Sequence, residues 1–234
     1  MNIPTRVSWW FAAILGITGL AVEGSAQVPA DDPGAFREIS FETDDGGQIF
    51  GNLYGEGSHA VVLGHGAIFN KESWDDLATR LSAEGYRALA IDFRGYGKST
   101  AGRRSAALHE DILGGIRYLS EQGATRVSVI GASMGGGAAG DAAARAEPGE
   151  IDRLILLAAV AARSPKRMQG NKLFIVSQDD GIRRTVERQF KAAAEPKELR
   201  VLEGNAHAQH IFRTGRAREL TETILSWLAG DPSD

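Results

Sequence analysis

The stretch "VSVIGASMGGGAAGDAAARA", residues 127–146, decides the fold. Its first residues form a strand pattern that ends at Gly131, and from Met134 onward the residues are small and suit a helix. Ser133 stands alone at the turn between them. Gly131, Ser133 and Gly135 together spell G-x-S-x-G. A side chain at the apex of so sharp a strand-to-helix turn forces strained dihedrals. Glycines two residues to either side remove the Cβ atoms that would clash there. Two chemistries compete for such a turn. It can present Ser133 as a nucleophile, or it can cradle a phosphate at a helix N-terminus. The run "GGGAAGDAAARA" is costly as a helix, at about 1 kcal/mol for each glycine relative to alanine. Such small residues let a helix press closely on a sheet, with its N-terminal amides facing the turn.

The phosphate reading is the weaker. Gly135, Gly137 and Gly140 do spell G-x-G-x-x-G, but they begin inside the helix pattern rather than in the turn. No acidic residue follows at the end of the next strand, where "LILLAAVAAR" is uncharged until Arg163. "GYGKS" at 95–99 matches the end of a phosphate-binding loop, yet the position of that loop's first glycine is Asp92.

Outward from this stretch the chain alternates strand and helix patterns. "FREISFET" and "GQIFGNLYG" predict a hairpin around Asp45, Gly46 and Gly47. Strands are predicted at "HAVVLGH", "YRALAID", "RLILLAA", "KLFIVSQ" and "KELRVLEG". Helices are predicted at 73–85, with Ser73 as N-cap and Gly85 as stop, at 108–123, across "DGIRRTVERQFKAAA", and at the closing "GRARELTETILSWLAG". Continuous apolar strands separated by helices imply an α/β fold, with a mostly parallel sheet covered on both faces. No internal repeat or second domain is visible.

The ends read differently. "MNIPTRVSWWFAAILGITGLAVEGSAQ" carries one cation at Arg6, an apolar run from Val7 to Val22, and small residues at Gly24 and Ala26. That is the layout of a secretory signal over residues 1–26, with a mature start at Gln27 and a secreted or periplasmic destination. An uncleaved membrane anchor is the alternative. Residues 27–35 read as a flexible lead-in, 36–230 as the folded domain and 231–234 as a disordered tail.

Composition narrows the function. The 234 residues are 43% apolar, enough for one core, and the formal net charge of −4 offers nucleic acid no basic face. There are no cysteines, which excludes disulfides, thiolate metal sites, a Cys nucleophile and a lipid-bearing N-terminus. No cofactor or metal is expected, because the His207–His210 pair has no third ligand at a suitable spacing.

Four blocks now carry a resemblance to the α/β-hydrolase family: "VVLGHG" (61–66), "AIDFRGYGKS" (90–99), "GASMGG" (131–136), and "FIVSQDD" (174–180) with "GNAH" (204–207). It covers roughly residues 36–229 and is similar to small, lidless carboxylesterases and to the dienelactone-hydrolase-like group, although the latter group's nucleophile is typically Cys. The resemblance implies a Ser–Asp–His triad in that chain order. Ser133 takes the nucleophile position. His207 matches the family's G-x-x-H, with His210 as second candidate. His65 falls where the family's histidine is structural, His59 lies at the far end of a strand, and His109 lies in a helix. The family's G-x-x-D has Ser177 in its glycine position, which puts the acid at Asp180, with Asp179 adjacent. The backbone amides of Ala67 and Met134 would hold the oxyanion. Arg94 in "DFRGYGKS" is expected to brace the site through an ion pair.

The implied function is hydrolysis of small or exposed carboxylic esters through an acyl-enzyme, with a small acyl compound as partner. A secreted peptidase or thioesterase is the alternative, and a non-catalytic binding protein on the same fold a remote one. The connection "VAARSPKRMQGN" is too short for a cap domain. The stretch "RSPKRMQGNK" sets Arg163, Lys166, Arg167 and Lys172 near the expected rim, where they would favour an anionic substrate unless the loop is merely solvated. The residues leave the acyl group, the leaving group and the oligomeric state undetermined.

Overall fold

The computed structural model describes Met1 and residues 34–230. The expected signal segment, nearly all of the lead-in and the tail after residue 230 lie outside the described residues.

Within the described residues eight strands form one sheet: β1 (Phe36–Glu42), β2 (Gln48–Tyr54), β3 (His59–Gly64), β4 (Arg87–Ile91), β5 (Arg126–Ala132), β6 (Arg153–Leu157), β7 (Asn171–Ser177) and β8 (Lys197–Leu202). Their spatial order is β1-β2-β4-β3-β5-β6-β7-β8. β2 runs antiparallel to both β1 and β4, and every other pairing is parallel. The hairpin is closed where predicted, with the Gly47 carbonyl accepting the Thr43 N–H at 2.8 Å and Gly46 at φ 85°. β3 to β7 are the apolar runs, and residues such as Val61, Leu89, Val129, Leu156 and Phe174 are fully buried. Burial on both faces is what a continuous apolar strand requires.

Among the described residues five α-helices cover the sheet: α1 (Asp75–Ala83), α2 (Leu108–Glu121), α3 (Met134–Ala143), α4 (Arg183–Ala192) and α5 (Ala217–Ala229). The first departs from expectation. A 3-10 turn, Lys71–Trp74, precedes α1, and Ser73 lies inside it rather than at the N-cap. Its hydroxyl donates back to the Asn70 carbonyl at 2.5 Å.

Topology places the site. From β3 the chain steps to β4 on one side, and from β5 it steps to β6 on the other. Right-handed crossovers that travel in opposite directions put their helices on opposite faces. The loops leaving β3 and β5 therefore diverge and open a crevice at the carboxyl ends of two adjacent strands. "HGAIFN" leaves β3, and "ASM" leaves β5.

The small residues of α3 serve two contacts. A Cβ on Gly135 would sit inside van der Waals distance of the Gly64 and His65 carbonyls at the end of β3. The opposite side of the helix meets the segment that follows β6. A Cβ on Gly136 would strike Ala159, and one on Gly140 would lie 2.8 Å from both Ala162 Cβ and Met168 Cε. The sequence pattern by itself points these glycines to the sheet alone. Several of them let residues 159–168 descend alongside α3 to the start of β7, with the Gln169 N–H donating to the Ala143 carbonyl at 3.0 Å.

The loop after β4 is braced by Arg94, whose side chain is 1% exposed. Its guanidinium donates to Asp111 Oδ1 from Nε (2.8 Å) and Nη2 (2.7 Å), and to Asp45 from Nη1 (2.9 Å) and Nη2 (3.0 Å). The β1–β2 turn, the loop and α2 are thus tied by one buried cation. Its hydrogen bonds hold the Asp45 carboxyl well below the usual carboxylate range.

Candidate active site

Ser133 sits between β5 and α3 at φ 51°, ψ −111°, a conformation that residues with a Cβ rarely adopt. Three backbone hydrogen bonds pin it there. Its N–H donates to the Leu157 carbonyl (2.9 Å), and its own carbonyl accepts from Gly137 (3.1 Å) and Val160 (3.0 Å). The strained apex turns Oγ out of the sheet, to 2.8 Å from His207 Nε2.

His207 and Asp180 come from the loops after β8 and β7. His207 Nδ1 is 2.8 Å from Asp180 Oδ2, while Asp180 Oδ1 accepts the Ile182 N–H at 3.0 Å. The Asp180 side chain is 3% exposed and that of His207 is 37% exposed. A carboxylate can only accept, so the proton between the two belongs on Nδ1. Nε2 is then left with a lone pair facing the Ser133 hydroxyl. Asp179, by contrast, is exposed, and its backbone N–H donates to Gly204. Ser177, which breaks the glycine pattern, donates its hydroxyl to the Ala206 carbonyl at 2.6 Å and so ties the acid loop to the histidine loop. Ala208, just after His207, is held at φ 50°.

The loop after β3 is fixed peptide by peptide. The Gly66 carbonyl accepts from His65 Nδ1 (2.8 Å) and from the Phe69 N–H (3.0 Å). In a trans peptide the next N–H points the opposite way. The Ala67 N–H is therefore turned away from that inward-facing carbonyl. Among the described residues it has no intramolecular partner, and neither has the N–H of Met134 at the start of α3. Two orphan amides flanking a serine hydroxyl are suited to receive a negative oxygen. His65 is fully buried, and its Nε2 accepts the Phe93 N–H at 3.2 Å. Burial lowers its pKa, which keeps the ring neutral and Nδ1 a donor.

The remaining histidines lie elsewhere. His59 is at the opposite end of the sheet, 2.9 Å from Ser128 Oγ. His109 is on α2 beside Glu110. His210 lies in a 3-10 turn, Ala208–Arg213, with its ring 5.0 Å from that of Phe69. An open cleft of about 520 Å³ lies between that turn and the loop after β3, lined by Ile68, Phe69, Glu72, His210 and Arg213. Ser133 and His207 do not line it, but Gly66 connects them, since a Cβ there would be 3.5 Å from both Phe69 and Ser133 Cβ.

The four cations expected at the rim are not there. Because residues 159–168 run down α3, Lys166, Arg167 and Lys172 line a second cleft, of about 530 Å³, at the amino ends of β5 to β8. Arg163 turns to Asp141 on α3, through its backbone N–H at 2.7 Å and its Nε at 3.6 Å. Around the loop amide the exposed side chains are mixed: Ile68, 78% exposed, follows it, Arg213 lines the adjoining cleft, and Val160, 41% exposed, donates its backbone N–H to the Ser133 carbonyl.

Two polar residues at the site escaped sequence reasoning. Tyr96 donates its hydroxyl to the Ala67 carbonyl at 2.9 Å. Gln209 accepts the Gly66 N–H at 2.7 Å and donates to Ser73 Oγ at 2.6 Å. Neither has a sequence signal, because each partner lies on a different loop.

A family model described as serine aminopeptidase, S33, matches residues 55–179. The chain is 34% identical over 122 residues to a non-heme chloroperoxidase of Streptomyces lividans, covering 50% of this chain and 43% of that protein. It is 32% identical over 122 residues to the bifunctional esterase/perhydrolase DCH of Acinetobacter calcoaceticus, covering 50% and 43%. The chain thus spans less than half the length of these curated relatives. An esterase from Exiguobacterium antarcticum superposes with a TM-score of 0.69 at 19% identity, over 83% of this chain and 100% of the other. A dienelactone hydrolase from Anabaena variabilis gives 0.70 at 19%, over 82% and 96%. The structural likenesses speak for the fold alone. The matched model spans more than half of the chain, from just before β3 into the loop after β7, and so takes in the strained serine turn and the loop after β3; on that ground the chain belongs to the α/β-hydrolase family.

Proposed function

We propose that the protein is a serine hydrolase acting on small or exposed carboxylic esters with apolar acyl groups, by way of an acyl-enzyme. Ser133 Oγ attacks the acyl carbonyl while His207 Nε2 takes its proton. Asp180 holds the imidazole tautomer and stabilises the imidazolium. The oxyanion is received by the amides of Ala67 and Met134. The tetrahedral intermediate collapses as His207 protonates the leaving alkoxide, and water then repeats the sequence to release the acid. The single observation that carries the reading is the unbroken relay from Ser133 Oγ to His207 to Asp180, 2.8 Å at each step. Apolar acyl groups are favoured because the exposed Ile68 follows the loop amide and the Val160 N–H reaches the Ser133 carbonyl, while Lys166, Arg167 and Lys172 lie at the far end of the sheet and Arg163 turns to Asp141.

A panel of p-nitrophenyl esters, acyl thioesters and aminoacyl amides offered to the purified protein tests this. Turnover is expected on neutral esters of short apolar acids. Turnover confined to amides would give the site to a peptidase, and turnover confined to thioesters would give it to a thioesterase. We also read residues 1–26 as an export signal. Sequencing of the exported protein should then begin at Gln27, and an intact Met1 in a membrane fraction would overturn that.

A further inference from the structure

We propose that Gln209 is a positioning residue: its side-chain amide holds the Gly66 N–H and thereby keeps the Ala67 N–H aimed at the developing oxyanion. This rests on the serine-hydrolase reading above.

The peptide carrying the Ala67 N–H hangs on Gly66, the residue type with the widest backbone freedom. An amide that must meet an oxyanion has to be held before the charge appears, because reorganising it during the reaction would forfeit its benefit. Four groups hold the loop. His65 and the Phe69 N–H hold the Gly66 carbonyl, Tyr96 holds the Ala67 carbonyl, and Gln209 holds the Gly66 N–H. His65 and Phe69 belong to this same loop, and Tyr96 to the loop after β4. Gln209 alone among them arrives from the loop that carries His207, two residues beyond it. It thus couples the placement of the base to the placement of the oxyanion amide.

The orientation of the Gln209 amide follows from its partners. The Ser73 hydroxyl proton is already committed to the Asn70 carbonyl, so Ser73 Oγ can only accept. Gln209 Nε2 must face Ser73, and Oε1 must then face Gly66, whose N–H can only donate. The side chain is 3% exposed, so water is a poor substitute for either bond. Without Gln209, the Gly66 N–H would turn toward another acceptor and carry the adjoining peptide with it. The out-of-place Ser73 has its explanation here too, since it anchors the glutamine rather than capping α1.

The test uses the purified protein and its best neutral p-nitrophenyl ester. Gln209→Met removes both hydrogen bonds at nearly constant volume. We expect kcat to fall by roughly tenfold to a hundredfold, somewhat less than the loss of an oxyanion donor outright, with KM within about twofold. A trifluoromethyl ketone, which forms an oxyanion when Ser133 adds to it, should lose affinity in step with kcat. Ser73→Ala should show a smaller loss in the same two quantities, and combined with Gln209→Met it should add nothing, as members of one chain of bonds do. A folded Gln209→Met protein with unchanged kcat overturns the proposal, as does a rise in KM with kcat and ketone affinity unmoved. Should that variant fail to fold, Ser73→Ala decides in its place: a matched loss of kcat and ketone affinity supports the coupling, and no change overturns it. Ser133→Ala run alongside separates the two readings. Activity retained there sinks the serine mechanism itself, whereas activity lost there beside a normal Gln209→Met sinks only the role of the glutamine.

Discussion

Ser133 occupies a backbone conformation that costs on the order of 1–3 kcal/mol for a residue with a Cβ. The Leu157, Gly137 and Val160 hydrogen bonds keep it there, and the return is a hydroxyl that stands clear of the sheet beside His207. Ser133→Ala keeps the Cβ and the turn, so stability should be nearly unchanged while ester turnover falls by about a thousandfold or more. Measuring kcat/KM beside a urea titration checks both halves. The two neighbouring aspartates give a sharper contrast. Asp180 is buried against His207 Nδ1, and Asp179 faces solvent. Asp180→Asn removes the acceptor that fixes the imidazole tautomer and should cost roughly 10²–10⁴-fold in kcat. Asp179→Asn should stay within about twofold, on the rule that exposed changes away from such features are nearly neutral. Labelling of Ser133 by a fluorophosphonate should follow the same order, and equal loss in both variants would contradict the assignment.

At the scale of elements, α3 sets its glycines against its neighbours rather than for helix stability. Replacing glycine by alanine in a helix ordinarily gains about 1 kcal/mol. At Gly136 the new Cβ would meet the Ala159 Cα and Cβ, which cannot swing away as a long side chain would. Gly136→Ala is therefore expected to destabilise the protein, by about 1–3 kcal/mol in chemical denaturation. A gain in stability would mean that α3 is not tightly held against the segment after β6. The other tie between elements is electrostatic. Arg94→Met would leave Asp45 and Asp111 buried without their cation, at a cost of about 3–5 kcal/mol. That cost should shrink in acid, where the orphaned carboxyls can take up protons, and comparing urea midpoints at pH 7 and pH 4 checks it.

At the scale of the whole molecule, three histidines outside the Ser133–His207–Asp180 relay make stability depend on pH. Burial lowers the pKa of His59 from 6.5 to about 4, and burial likewise lowers those of His65 and His109. Unfolding returns each ring to water, where it binds a proton below about pH 6.5. Below that pH the unfolded chain therefore holds more protons than the folded one, and stability falls as pH drops from 6.5 toward 4. Their contribution is fully present above pH 6.5. The urea midpoint should decline steadily between pH 7 and pH 5, and His59→Gln, at the end of the sheet remote from Ser133, should flatten part of that slope without altering turnover at pH 7. A slope that is unchanged in the variant would refute the assignment to His59.

The alternation of apolar strands with amphipathic helices, and the glycine-flanked Ser133, were legible from the sequence alone. Period and turn chemistry are local properties, expressed within a few neighbouring residues. His207 and Asp180 were legible only through the resemblance to the family's G-x-x-H and G-x-x-D patterns after the last two strands, and His210 and Asp179 stood beside them as rivals. Tertiary structure alone decided the rest. The rim cations were misplaced because a sequence does not say in which direction a connection leaves its strand, and the close-packed glycines of α3 let this one run down the helix to the far end of the sheet. Ser73 reads as a cap in the sequence because its partner, Gln209, is 136 residues away. The glutamine itself carried no signal, since a hydrogen bond between two loops is a matter of where the folded chain brings them, and no pattern within either loop records it.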